Sequence, residues 1–263
     1  MLGSFKFLGT GASLGVPIIG CHCSVCSSQS KKNKRSRPAG LLKIQDKVIL
    51  VDVGPDFRSQ ALLYEIERLD GLMITHSHYD HIGGIDDLRV YYFHNEKALP
   101  TLLNVETYRE IKKRFSYLFS PDLDPFSRSE KFAFQLVKED FEIIEFLGLK
   151  IQAISYFQAK MKVMGFRYHN FAYLSDIKEY SQDIFKALKG VDTMVISAVR
   201  HKPTPVHFNL EEAIAFSKKT EAKKVYFTHI AHNLDHEKTS KELPSGFFMG
   251  YDGLEIPIEE ING

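Results

Sequence analysis

Apolar and polar positions follow a recurring order along this chain. The opening "FKFLGTGASLGVP" reads as a short strand and then a glycine-rich loop. "AGLLKIQDKVILVDVGPD" reads as two strands about a tight turn near Gln45–Lys47, ending in a loop at Gly54–Pro55. Residues 56–69, "DFRSQALLYEIERL", keep a helical period, with Asp56 placed to cap the helix. "GLMIT" is a buried strand, and a short helix is expected to begin near Asp80 or His81. Further on, "LKIQAISYF" is a strand, and "VMGFRYHNFAYLSD" is a strand pair turning at His169–Asn170. "KEYSQDIFKALKG" is a helix stopped by Gly190, "DTMVISA" a strand, and "NLEEAIAFSKKT" a helix capped by Asn209. "AKKVYFTHIAH" is a strand ending in histidines, and "GLEIPI" closes the chain as a strand. Residues 94–140 are harder to place. "NVETYREIKKRFSYLF" looks helical and "SPDLDPFSRS" looks like a loop, so this stretch is expected to be a lid or an insertion.

Hairpins break any simple strand–helix–strand series. The pattern predicts two mixed sheets packed together with helices outside, in one domain over 1–263 that looks built from two similar halves. Length and composition agree. The 263 residues are 44% hydrophobic and 25% charged, enough for a sizeable core. A net charge of +1 provides no global field toward nucleic acid or an anionic membrane. No apolar run is long enough to span a bilayer, and the start lacks a leader's apolar segment. A cytoplasmic protein is therefore expected, and nothing in the sequence chooses between monomer and homodimer.

The stretch "ITHSHYDHIGG" puts His76, His78, Asp80 and His81 within six positions. Each would need its own buried partner if all were ordinary core residues. Imidazole suits zinc and other first-row ions, and carboxylate adds charge and hardness. His76 and His78 alternate, so at a strand end both face one side. Asp80 and His81 can then turn toward a second ion. "AYLSD" and "VYFTH" repeat the form of "LMITH", an apolar strand followed by a ligand type, and bring in Asp176 and His229. Taken alone, Asp176 could equally cap the following helix. Separately, "GCHCSVC" places Cys21, Cys23 and Cys26 close together, which is poor for disulfides and good for tetrahedral zinc. His232, three residues past His229, is the natural fourth ligand.

"THSHYDH", with a later aspartate and histidine at strand ends, resembles the metallo-β-lactamase superfamily over essentially the whole chain. The resemblance implies an αββα sandwich, with two divalent ions (zinc or manganese) at one edge of the sheets and Asp176 bridging them. "GTGASLGVPIIGCHCSVC" and "THIAH" narrow it to the phosphoribosyl cyclic phosphate phosphodiesterases of phosphonate catabolism, which carry an additional structural zinc. "GPDFRSQ" is similar to the pyrroloquinoline quinone biosynthesis protein B group. That group has a degraded histidine motif, while this chain keeps the full one, but the metallo-β-lactamase pattern implies a further histidine after the strand near residue 155, as third ligand to the first metal. This chain reads "AISYFQAK", so Gln158 stands there as a possible ligand, weak and neutral but able to bind a harder ion such as Mn²⁺ or Mg²⁺ better than zinc, and His169 should point away. In "RHKPTPVHFNLEEA", His207 matches a histidine that meets the phosphate in the family, and His201 is a weaker candidate.

The implied activity is hydrolysis of a small phosphodiester, a cyclic ribose phosphate by resemblance, through a metal-bound hydroxide. Asp80 would orient the nucleophile, and His207 would assist the leaving group. The basic run "KKNKRSRP" (31–38) is expected to be a solvated loop, or else to attract a phosphorylated substrate. Two alternatives stay open. One is a metal-binding protein without hydrolase activity, like the quinone-biosynthesis group. The other is a tRNA 3′-end nuclease, which needs a basic surface that the neutral charge does not supply.

Overall fold

Which face each apolar side chain takes decides the layers. The computed structural model describes residues 2–95, 97–119 and 131–259. Its first strands are β1 (Gly3–Gly9), β2 (Ala39–Ile44), β3 (Lys47–Val51), β4 (Gly71–Met73), β5 (Leu99–Asn104), β6 (Phe132–Val137) and β7 (Ile143–Phe146). The rest are β8 (Leu149–Gln158), β9 (Met161–Tyr168), β10 (Phe171–Leu174), β11 (Thr193–Ser197), β12 (Lys224–Thr228), β13 (Phe247–Met249) and β14 (Glu255–Ile258). They form two seven-stranded sheets, in the orders β14-β1-β2-β3-β4-β5-β6 and β7-β8-β9-β10-β11-β12-β13. Read in those directions, each sheet has three antiparallel pairings followed by three parallel ones. The similar halves expected from the pattern thus appear as two sheets with the same pairing sequence.

Alternation within a strand sends neighbours to opposite faces. Leu42, Ile49 and Met73 turn to the space between the sheets, where they meet Phe5, Phe166, Phe171 and Tyr173. Leu41, Leu50 and Leu72 turn outward. There they are covered by α1 (Phe57–Leu63), α2 (Tyr79–Ile82), α3 (Arg89–Asn95) and α4 (Val105–Arg114). On the second sheet, Leu174, Met194 and Val225 face outward, under α5 (Asp183–Ala187) and α6 (Leu210–Thr220). A last helix, α7 (His236–Glu242), follows β12. No helix among the described residues is long and apolar enough to cross a membrane.

Several expectations need correction. Residues 99–104 and 132–137 are not part of an insertion: β5 and β6 complete the parallel side of the first sheet, with α4 between them. The loop "SPDLDPFSRS" falls outside the described residues. The helix expected over 56–69 stops at Leu63, and Asp56 stands at its N-cap but gives it no side-chain hydrogen bond. Its carboxylate instead accepts the Arg37 amide at 2.8 Å and pairs with the Arg37 guanidinium at 2.9 Å. The helix expected to end at Gly190 is a short one, Asp183–Ala187. Asn209 does cap α6, in a reciprocal box with Glu212. The basic run is only partly solvated, because Arg35 is buried. Its Nη1 donates to Thr10 Oγ1 (2.7 Å) and Gly250 O (2.6 Å), and its Nη2 lies 3.2 Å from His236 Nδ1.

Candidate active site

The C-terminal ends of parallel strands from both sheets meet at one edge. This is where open α/β sheets present their loops to ligands. Three residues just past such ends have left-handed backbone: Asp52 after β3 (φ 60°), Asp176 after β10 (φ 57°) and His229 after β12 (φ 56°). None is glycine, so each conformation costs on the order of 1–3 kcal/mol and persists only where the surroundings fix it. All three are buried. Asp176 therefore caps no helix; it turns into the site.

The expected ligands come together there. Asp80 Oδ2 lies 3.3 Å from His229 Nε2 and 3.5 Å from His81 Nε2. Asp176 Oδ2 is 3.1 Å from His81 Nε2, and its Oδ1 is 3.3 Å from His229 Nε2. His76 Nε2 and His78 Nδ1 are 3.0 Å apart. Donors about 2.1 Å from one ion are about 3.0 Å apart at a right angle and about 3.4 Å apart at the tetrahedral angle. The observed separations span that range. His81 Nε2 makes no hydrogen bond despite two carboxylates within reach, which is the arrangement a shared cation would satisfy.

Electrostatics agree with this reading. Burial opposes a charge on His81, but Asp52, Asp176 and Asp80 outweigh it and hold its pKa well above the usual value. Burial likewise opposes charge on His229, and Asp176 and Asp80 again prevail and raise it. Burial favours the neutral forms of Asp80 and Asp176, yet nearby histidines pull both below the usual carboxylate range: His81 and His229 for Asp80, His229 and His81 for Asp176. Burial itself dominates at His76 and His78 and keeps those imidazoles neutral. The pocket gathers carboxylates around imidazoles, an arrangement that favours bound positive charge.

Two partners of the site escaped sequence reasoning. Asp52 accepts from Thr75 N (2.8 Å) and lies 2.7 Å from His81 Nδ1, so it turns Nε2 of that ring inward. Thr75 Oγ1 sits 3.0 Å from His76 Nδ1 and does the same for His76. The signal for Asp52 was present, since "ILVD" has the same strand-then-acid form as "AYLSD". His207 is also placed at the site, with Nδ1 3.2 Å from Asp176 Oδ1 and its ring stacked on His229 at 5.2 Å. His201 is exposed and lies 3.6 Å from Glu211. His169 sits in its exposed turn, as expected. Gln158 is buried at the end of β8. Its amide nitrogen, not its oxygen, approaches Asp176 Oδ1 (3.4 Å) and His207 Nε2 (2.9 Å).

The second cluster forms as expected. The sulfurs of Cys21, Cys23 and Cys26 stand 3.3, 3.5 and 3.5 Å from His232 Nδ1. A tetrahedral zinc with bonds of about 2.3 Å to sulfur and 2.05 Å to nitrogen gives edges of about 3.5 Å. The Cys26 amide donates to Cys23 Sγ, and this lowers the Cys23 pKa to about 6; burial raises that of Cys26. A thiolate close to neutral pH is what a zinc ligand requires. Both donor sets therefore fit divalent ions.

Comparison with known proteins agrees with this architecture. Residues 47–230 match the family described as the beta-lactamase superfamily domain, and the chain belongs to that superfamily of metal-dependent hydrolases. A crystal structure described as a new diphosphatase from the PhnP family is 36% identical, with a TM-score of 0.89 and 97% of each chain covered. Zinc-bound PqqB from Methylobacterium extorquens shares the fold at 17% identity and a TM-score of 0.75, over 97% of this chain and all of that one. The human short-form tRNase Z shares it at 16% identity and 0.73, over 98% of this chain and all of that one. A protein named octanoyltransferase from Porphyromonas gingivalis (strain ATCC BAA-308 / W83) is 34% identical over 257 residues, 96% of this chain. The chain spans about half, 51%, of that relative's length.

Proposed function

We propose that this member of the beta-lactamase superfamily is a metal-dependent phosphodiesterase acting on a small phosphorylated substrate, with a cyclic ribose phosphate as the first candidate. One observation carries the reading: imidazole and carboxylate donors from separate strand ends converge at ion-bridging distances in a buried, anionic pocket. Divalent ions held by His76, His78 and Asp176 on one side, and by Asp80, His81, Asp176 and His229 on the other, would polarise a phosphoryl oxygen and lower the pKa of a water. Nitrogen-rich donors suit zinc, and the carboxylates also admit manganese.

The protein's own groups would do the rest. Asp80 would accept a hydrogen bond from the attacking water and aim it. Asp52 and Thr75 would hold the rings of His81 and His76 in register. His207, at the rim beside Asp176, would hold a phosphoryl oxygen or return a proton to the leaving oxygen. The cysteine cluster would carry a structural zinc that ties residues 21–26 to the segment bearing His229.

A phosphoanhydride is the second reading, favoured by the 36% identical diphosphatase. The test compares protein stripped of metal with protein loaded with Mn²⁺ or Zn²⁺, on a ribose cyclic phosphate, bis(p-nitrophenyl) phosphate and a nucleoside diphosphate ester. Metal-dependent cleavage of the diesters, lost in Asp80→Ala, supports the proposal. Cleavage of the anhydride alone moves it to the second reading, and no cleavage of any removes both.

A further inference from the structure

The two sides of the active-site centre carry unequal donor sets. His81 and His229 each approach both Asp80 and Asp176, with imidazole–carboxylate separations of 3.1–3.5 Å. On the other side, His76 groups with His81 and Asp176, and His78 joins only through His76, 3.0 Å away. Gln158 is the next side chain to reach Asp176, and it approaches with its amide nitrogen.

That orientation is chemically consistent. The amide nitrogen lies 2.9 Å from His207 Nε2 and 3.3 Å from Nδ1; with the amide donating to the nearer Nε2, the ring proton sits on Nδ1, 3.2 Å from the Asp176 oxygen that would accept it. Turning the amide over would press its oxygen against the Asp176 carboxylate, acceptor against acceptor. An amide NH₂ offers no lone pair to a cation. The Gln158 oxygen is buried and without a hydrogen-bond partner, so the side chain satisfies Asp176 and His207 at the expense of its own carbonyl.

We propose that Gln158 is a positioning residue for His207 and not a metal ligand, so that the centre holds one ion tightly at Asp80–His81–Asp176–His229 and a second one weakly and reversibly at His76–His78. The inference rests on the two-ion reading above and adds an inequality to it. It makes the second ion a reagent that the protein gains and loses with ambient metal.

The experiment is a Co²⁺ titration of the chelated full chain, followed by absorption spectroscopy and calorimetry. The thiolate charge-transfer band reports the cysteine cluster and serves as a folding control. Both sites contribute ligand-field bands, so the changes that continue after the thiolate band has saturated report the histidine–aspartate centre. In the wild type, the second ion of that centre should bind about 100-fold more weakly than the first, and Gln158→His should tighten it about 10-fold or more. Gln158→Ala should change it by less than about 5-fold. A larger loss in Gln158→Ala would make Gln158 a ligand and overturn the proposal. Equal affinities in the wild type, or no gain in Gln158→His with the thiolate band intact, would overturn it too. Diester hydrolysis is measured apart. Expected affinities without hydrolysis would remove the proposed activity and leave this inference standing.

Discussion

The cysteine cluster and the histidine–aspartate centre share one segment, with His232 in the first and His229 in the second, yet they are assembled in opposite ways. The cluster takes three of its four donors from residues 21–26 and needs one contact from far along the chain. The centre draws on the ends of β4, β10 and β12, on α2 and on the loop before α6. It relies on left-handed backbone at Asp176 and His229, and at Asp52 behind them. On the proposed reading the cluster would act mainly as a tether, and an ion held there would stabilise the fold. The centre is a strained assembly held in place by the rest of the fold, where stability is given up for geometry. Metal removal should therefore act on stability at one place and on chemistry at the other.

The largest expected effect is at the centre. Asp80→Ala should lower kcat on the order of 10³-fold while the protein stays folded; steady-state kinetics with a melting curve checks both. A collapse of the fold in that variant would erase the contrast. The mirror experiment is Cys23→Ser. At free zinc 1,000 times the dissociation constant, loss of the site should remove about 4 kcal/mol of stability, read by denaturant unfolding with and without zinc. Its effect on kcat should be far smaller than that of Asp80→Ala.

Positioning comes next. Asp52→Asn keeps the shape but weakens the hold on His81, and should reduce metal affinity of the centre about 10- to 100-fold without touching the cysteine cluster. Equilibrium dialysis against both metals separates the two. The pH dependence sharpens the same point. Nearby carboxylates raise the pKa values of His81 and His229, so protons compete with metal for both rings over a higher pH range than at an ordinary imidazole. Affinity at the centre should then fall as pH falls, and loading at neutral pH should release protons, measured by calorimetry in buffers of different ionisation enthalpy. The smallest effect is expected at Asn209→Ala. Loss of the α6 cap should cost about 1 kcal/mol, with a modest rise in KM through the adjacent His207 loop.

Much of this was legible from local spacing. Six positions around His76–His81 announced a metal site, and three cysteines within six residues announced another, because donors so close in sequence are close in space under almost any fold. Asp176 and His229 could be nominated from a shared form, an apolar strand followed by a donor, and Asp52 has that form too. What the sequence could not give was which strand ends would be neighbours. That depends on sheet order, which sets Asp52 behind His81 and brings Gln158 to His207 across 49 positions. β5 and β6 were missed for a related reason. β5 is interrupted by Pro100 and Thr101 and β6 is a half-exposed edge strand, so neither has a clean strand pattern, and their partners in the sheet define them. Arg35 reads as one more charge in a basic run until Thr10, Gly250 and His236 close around it. The chain by itself determined which chemical groups it would offer and where they cluster locally. The tertiary structure decided which of them meet, because contacts between distant strand ends are fixed by the packing of two sheets, not by any period along the sequence.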